Sequence, residues 1–303
     1  MPAMTSAAIE VSVLARETED IGARLGACCF DSVRAALDKL DFSSGTIPGI
    51  DALNHRVKES REPVVTVRGN AIRFCAQGAA AAAIAYEREI FSRGIVPTRP
   101  GNVHDFFNAL VWLSFPRTKA AINARHVALA AADGLDGNRS PARDALTLFD
   151  ECGVIVLSDQ PDLLAHVKEF RWKELFWNRR DAVRQHMRFL VFGHGLMEQL
   201  LHPYVGLVGK ALLIPVNETW LGGSGPRPPS IGALLQHIDA ASSDLVAEPA
   251  PRGLRGGLGP GPFLSRGRDL APLPMLGIPD WAAENNTESY YDNRDYFRPG
   301  RRA

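Results

Sequence analysis

The residues of this chain most suited to chemistry lie in VPTRPGNVHDFFNALVWLSFPRTKAAINARH, residues 96–126. His104 and Asn108 stand four apart and share a helical face. The rest of that helix, from Phe106 and Phe107 through Trp112 to Phe115, is apolar nearly all round, so it should be buried. A polar pair on such a helix needs partners, because an unpaired buried polar group costs about 1–3 kcal/mol. Asn102 is a suitable cap, Pro116 ends the helix, and Lys119, Asn123 and His126 recur at spacings of four and three on the next one. The two helices can present His104, Asn108, Lys119, Asn123 and His126 to one cleft. There His104 would act as general base or metal ligand, with Asp105 and Asn108 positioning it or a metal and Lys119 holding an anion. Adjacent helical residues point about 100° apart, so His104 and Asp105 form no dyad alone. The further ligands of a metal site are not assignable, and the cofactor stays open. Structurally, the same residues read as a dipole-facing Asp105 and a His104 and Asn108 bonded to neighbouring loops.

Three further groups deserve the same weighing. In FLVFGHGLMEQLL, Gly193 and Gly195 bracket His194 at a strand-to-helix turn, a place where anions bind, with Glu198 four residues on to orient the imidazole. Lys210 could meet an anion from the next strand. Residues 166–188 carry seven Lys/Arg against three acids, interleaved with Phe170, Trp172, Phe176 and Trp177. That pattern suits nucleic-acid stacking or a phosphorylated ligand, and equally a core-facing helix with a solvated basic side. Asp150-Glu151 reads as the acidic tip of a hairpin, with turn formation favoured over metal binding.

The elements that must position these groups can be sketched from periodicity. Residues 1–45 read as a helical N-terminal extension, 46–221 as an α+β core, 222–275 as a Gly/Pro-rich connection with a short helix, and 276–303 as an aromatic arm packing on the core. One hairpin is expected where Val64–Val67 and Ile72–Cys75 flank Gly69-Asn70, and a second where Leu146–Phe149 and Val154–Leu157 surround residues 150–153. A helix over 162–177, a strand over 188–192, a helix over 196–201 and a strand over 211–216 follow, and then a helix over 231–245. The alanine run of 78–85 reads as the start of a closely packed helix. The expected fold is α+β, a single principal domain with a mixed β-sheet covered by helices.

Composition narrows the function classes. Lys+Arg and Asp+Glu are both 34, so the net charge is zero, which argues against a general polyanion binder or a polybasic membrane protein. The four cysteines form no C-x-x-C pair, and the first residues lack the basic and apolar regions of a secretory signal, so a reduced, cytoplasmic setting is expected. No apolar run approaches the roughly 18 residues of a membrane span.

The stretches YEREIFSRGIVPTRPGNVHDFFNALVWLSFPRTKAAINARH, RDALTLFDECGV, FRWKELFW, FLVFGHGLMEQLLHPYVGLVGKALLIPV, LPMLGIPDW and YFRPGR together resemble a bacterial domain family of unknown function found mainly in proteobacteria. The resemblance runs from about 45 to 300. One departure is Val103, where the family pattern has Trp between Asn and His; the His-Asp pair is intact, but any stacking by that aromatic is affected. The resemblance implies no activity. It implies a site drawn from His104, Asp105, Asn108, Arg117, Lys119, Asn123, Trp172, Lys173, Glu174, His194 and Lys210. The functional expectation is a hydrolase for a small anionic or phosphorylated substrate, with His104 as base and Lys119, Lys173 and His194 on the anion. The alternative is a nucleic-acid or protein binding module using 166–188, or an assembly protein whose arm swaps onto a neighbour.

Overall fold

The computed structural model describes residues 21–43, 46–77, 83–133, 139–221, 231–247 and 264–300. Expectations for 1–20, for the alanines of 78–82 and for the Gly/Pro-rich stretches 222–230 and 251–262 lie outside them. In chain order the elements are α1 (Arg34–Leu37), α2 (Ile50–Lys58), β1 (Arg73–Ala76), α3 (Ala83–Arg93), β2 (Ile95–Thr98), α4 (Val103–Ser114), α5 (Pro116–Ala132), α6 (Pro141–Cys152), β3 (Gly153–Ser158), α7 (Pro161–Lys168), α8 (Arg180–His186), β4 (Met187–Val191), α9 (His194–Leu200), β5 (Val208–Pro215), α10 (Ile231–Val246) and β6 (Ala271–Pro274). The fold is α+β, with a mixed sheet and covering helices in one domain.

Val154-Ile155-Val156-Leu157 is apolar at every position, the pattern of a strand covered on both faces, and all six residues of β3 are buried. It lies inside the sheet order β4-β3-β5-β6, antiparallel to β4 and parallel to β5. Helices α6 and α7 pack on it. The edge strand β6 falls within the expected irregular connection, which is a correction: Ala271–Pro274 pairs antiparallel with Val208–Ala211. Its two prolines are tolerated because one side of an edge strand needs no ladder partner.

Three other expectations change. Leu146–Phe149 is helical, because Pro141 at the first position starts α6 and Ala145, Leu146 and Phe149 bury one helical face. Only Val154–Leu157 of the second hairpin is a strand, so Asp150 and Glu151 occupy the last turn of a helix. The first hairpin shrinks to a single Val65↔Ala71 bridge around Gly69, whose φ is 81°. The chain beyond the turn pairs instead in parallel with β2. The helix expected over 162–177 stops at α7, after which Phe170 turns left-handed at φ 58° and a π-turn covers Glu174–Asn178.

Helix α4 behaves as its sequence requires. The Asn102 side chain accepts the Asp105 N–H at 3.0 Å, every residue from Phe106 to Trp112 is buried, and the helix ends before Pro116. The first N–H groups of α5 have no partner within their own helix, and Asp239 of α10 supplies one. Its carboxylate accepts the backbone N–H groups of Arg117 and Thr118 at 2.9 and 2.8 Å, and the Thr118 hydroxyl at 2.7 Å. The aromatic C-terminal residues are anchored by polar tips. Tyr296 donates to Leu207 O and accepts from Leu276 N, and Tyr291 donates to Gly277 O. Among the described residues no helix is long and apolar enough to cross a membrane.

Asp239→Ala strips this carboxylate from buried donors, so a loss of about 1–3 kcal/mol is expected. A urea unfolding midpoint measures it, and an unchanged midpoint would mean that the helix start is satisfied some other way.

Candidate active site

Five helices enclose a cavity of about 450 Å³. From α4 come His104, Asp105 and Asn108; from α5, Lys119, Asn123 and His126; from α6, Asp150 and Glu151; from α9, His194; and from α3, Tyr86 and Glu87. The cleft expected from the spacing on α4 and α5 therefore exists, and His194 joins it.

Two histidines and two glutamates converge at one end. The His104 and His194 rings stand edge to face with centroids 4.5 Å apart. Glu151 lies between them, its Oε2 3.9 Å from His104 Nε2 and its Oε1 3.5 Å from His194 Nε2. On the far side of its ring His104 donates from Nδ1 to Glu198 Oε2 at 2.9 Å. A carboxylate only accepts here, so Nδ1 carries a proton and Nε2 faces Glu151. Glu198 was expected to orient His194; it takes His104 because α4 and α9 pack against each other. His104, Glu151 and His194 offer donor atoms that all lie within 4.8 Å of one another, a spacing that can hold a metal ion.

Close backbone approach makes this possible. A Cβ on Gly193 would stand 2.4 Å from Gly153 N and 2.5 Å from Glu151 O, and one on Gly195 would stand 2.5 Å from Glu151 Oε2. The glycine pair read as an open anion cradle is instead the floor under Glu151.

Charge sets the protonation states. Burial alone would raise Asp150, but Lys119 and His194 beside it outweigh burial and hold it below its ordinary value. Lys119 Nζ donates to both Asp150 oxygens at 2.7 and 2.9 Å and sits 5.6 Å from the Trp112 ring centre. Glu151 is raised by burial and by the charge of Asp150. Burial pushes His194 down to about 4, so it is a neutral imidazole near pH 7. Deeper in, burial raises Glu87 to about 7 even though Asn123 donates to it at 2.7 Å. Burial lowers His126 to about 4.

The cavity wall also carries polar atoms with no partner among the described residues: Asn108 Oδ1, Asn123 Oδ1, Trp112 Nε1, His194 Nδ1 and Arg143 Nε. Arg143 is tied through Nη1 to Asp133 at 3.1 Å, and Arg139 to Asp144 at 3.3 Å.

Other expected site residues lie elsewhere. Asp105 faces the cavity but is claimed by Arg99, whose backbone and guanidinium both donate to it. Arg117 pairs with Glu62 at 2.8 Å and does not line the cavity. Trp172, Lys173 and Glu174 border a separate groove against Tyr291 and Asp292. There Lys173 pairs with Glu288 and Asp292 at 2.9 and 2.8 Å, so it cannot join His104 and His194. Lys210 sits in β5 opposite Gly153, away from the cavity wall. Several of the basic groups in residues 166–188 are paired. Arg179 pairs with Asp162, Arg184 with Asp280, and Trp172 and Phe176 are buried. Sequence reasoning undervalued Glu151, which was assigned to a turn, and did not reach Arg139, Arg143 or Glu87; the helical start at Ser140-Pro141 was the available signal for α6.

Two stability outcomes follow from the charges. Lys119→Ala leaves Asp150 uncompensated and should cost about 3–5 kcal/mol, while replacing both partners with apolar residues should cost less; urea midpoints of the three proteins decide it. Folded Glu87 keeps its proton between 4.5 and about 7, where the unfolded chain has lost it, so its contribution to stability falls as pH rises through that window. His126 acts oppositely, its contribution falling as pH drops from 6.5 towards about 4. Glu87→Gln should therefore stabilise the protein at about pH 8 and change little at about pH 5. Equal effects at both values would refute the buried acid.

No curated protein and no solved structure matches the chain. A family model does, over residues 72–301, which take in α4, α6, α9 and the aromatic C-terminal segment. The chain belongs to that family, DUF3025, described as a protein of unknown function.

Proposed function

We propose that the protein is a hydrolase acting on a small anionic ester held in the cavity between α3, α4, α5, α6 and α9. The observation that supports this best is the gathering, in one cavity, of polar atoms without a partner among the described residues, beside a His–Glu–His cluster and two guanidinium groups. Convergent polar groups in a concavity mark sites that recognise small ligands, and here most of the lining residues are polar or charged.

The division of labour follows from position. The His104, Glu151 and His194 end activates water, with Glu198 orienting His104. Water adds its oxygen to the electrophilic centre, the ester bond breaks, and the departing alcohol leaves with one of the two water protons. Arg139 and Arg143 hold the anionic group through guanidinium N–H donors. Asn108, Asn123 and Trp112 fix its orientation. Lys119, already committed to Asp150, acts as a fixed charge and makes no direct contact with substrate. A reducing, cytoplasmic setting belongs to the same reading, supported by four free thiols at Cys28, Cys29, Cys75 and Cys152. The nucleic-acid or protein-binding alternative has less support, because the aromatics it needs, Trp172 and Phe176, are buried.

The test compares p-nitrophenyl phosphate with neutral p-nitrophenyl acetate. The phosphate ester should be preferred, His104→Ala should lower kcat by about 100-fold or more, and Arg143→Gln should act mainly on KM. Turnover of the phosphate ester that is absent, or unchanged in folded His104→Ala, would remove the hydrolase.

A further inference from the structure

We propose that His104, Glu151 and His194 hold one divalent transition-metal ion of the zinc class, with Glu198 and Asp150 as the carboxylates behind the two imidazoles. The inference concerns the same site as the hydrolase reading and rests on it only for the metal's role in a reaction; the binding stands on geometry alone.

The donors arrive from three separate places: the first turn of α4, the last turn of α6 and the first residue of α9. Helical periodicity alone does not bring such residues to one point. One Glu151 oxygen stands 3.5 Å from His194 and the other 3.9 Å from His104, and one donor atom from each residue lies within 4.8 Å of the others. Bonds of about 2.0–2.2 Å from a tetrahedral ion to N and O donors place those donors roughly 3.3–3.5 Å from each other. Drawing the set in from at most 4.8 Å to that spacing is a closure of up to about 1.5 Å, taken up by the partly exposed Glu151 and His104 side chains.

The surroundings match a metal site more closely than a hydrogen-bonded cluster. His194 is almost wholly buried, its Nε2 makes no well-directed hydrogen bond to Glu151 at 3.5 Å, and its Nδ1 has no partner among the described residues. Nε2 is thus free to ligate an ion from the cavity side. With Nε2 on an ion, Nδ1 keeps the proton and points towards Asp150 Oδ2, which at 3.9 Å has to move closer to accept it. His104 repeats the scheme, with Nε2 towards the cluster and Nδ1 donating to Glu198 at 2.9 Å. Carboxylates placed behind metal-bound histidines fix the tautomer and raise ligand basicity.

The site is also built around the third donor. Any side chain at residue 195 would strike the Glu151 carboxylate, since a Cβ there stands 2.5 Å from Oε2. Two imidazoles and one carboxylate select a zinc-like ion over calcium or magnesium, which prefer oxygen donors. Three protein ligands leave the fourth position to the cavity, as in catalytic zinc sites.

The test uses the full chain stripped by chelator and dialysed. Titration with Zn2+ by calorimetry should show one ion per chain, and Co2+ should give the visible absorption of a four- or five-coordinate ion. Glu151→Gln and His194→Ala should each lose about 100-fold or more in affinity, and Glu198→Gln about 10–100-fold. Lys173→Ala, far from the cluster, should bind as wild type does. Circular dichroism verifies folding, and the partly exposed Glu151 carries the result if His194→Ala fails to fold. Absent uptake, equal affinity in Glu151→Gln, or preference for Mg2+ or Ca2+ would overturn the proposal. Uptake without phosphate-ester turnover would keep the metal and remove the hydrolase. Turnover that survives chelation with no uptake would do the reverse.

Discussion

The start of α9 must lie directly against the end of α6, and the rest of the site depends on that contact. Phe192 N and Gly193 N both donate to Gly153 O at 2.9 Å, so the β3–β4 ladder runs out at the point where α6 ends and α9 begins. A side chain at 193 would drive the two apart, because it would meet the Glu151–Gly153 backbone, and one at 195 would displace the Glu151 carboxylate. The sheet thus does for Glu151 and His194 what no local preference could. It sets residues from two elements at contact distance, and α4, packed on α9, brings His104 to the same place.

Electrostatics then separates the carboxylates into different roles. Asp150 faces Lys119 and stays ionised in spite of burial, whereas Glu151, next to that same charge, and Glu87, deeper in, are pushed upwards. Acids of similar intrinsic strength are thereby held in different states by burial and by their neighbours, which is how one cavity carries fixed charges and adjustable ones together. Lys119 links this pattern to the fold: it joins α5 to α6 across the cavity and lies over Trp112 of α4.

Much of this was legible in the sequence where the signal was local. The apolar surround of α4, its Asn102 cap and the Pro116 break fixed the helix, and the four-residue steps from His104 to Asn108 and Lys119 to Asn123 pointed to a shared cleft. Signals that rest on distant partners were not legible. Leu146–Phe149 is rich in strand-forming types and is followed by turn-like residues, so local preference spoke for a hairpin; burial of Ala145, Leu146 and Phe149 against the domain decided for helix. Lys173 resembled an anion-binding lysine until Glu288 and Asp292 came to it from the C-terminal segment. Glu198 sat at the right spacing to serve His194, but the packing of α9 on α4 gave it to His104.

The convergence of His104, Glu151 and His194 on one point is best probed by X-ray absorption at the zinc edge of the full chain loaded with one equivalent of Zn2+. The geometry described here requires a first shell of nitrogen and oxygen at about 2.0–2.2 Å, with outer-shell scattering from two imidazoles that drops to one in His104→Ala. A sulfur shell at about 2.3 Å, or an oxygen shell without imidazole scattering, would contradict it.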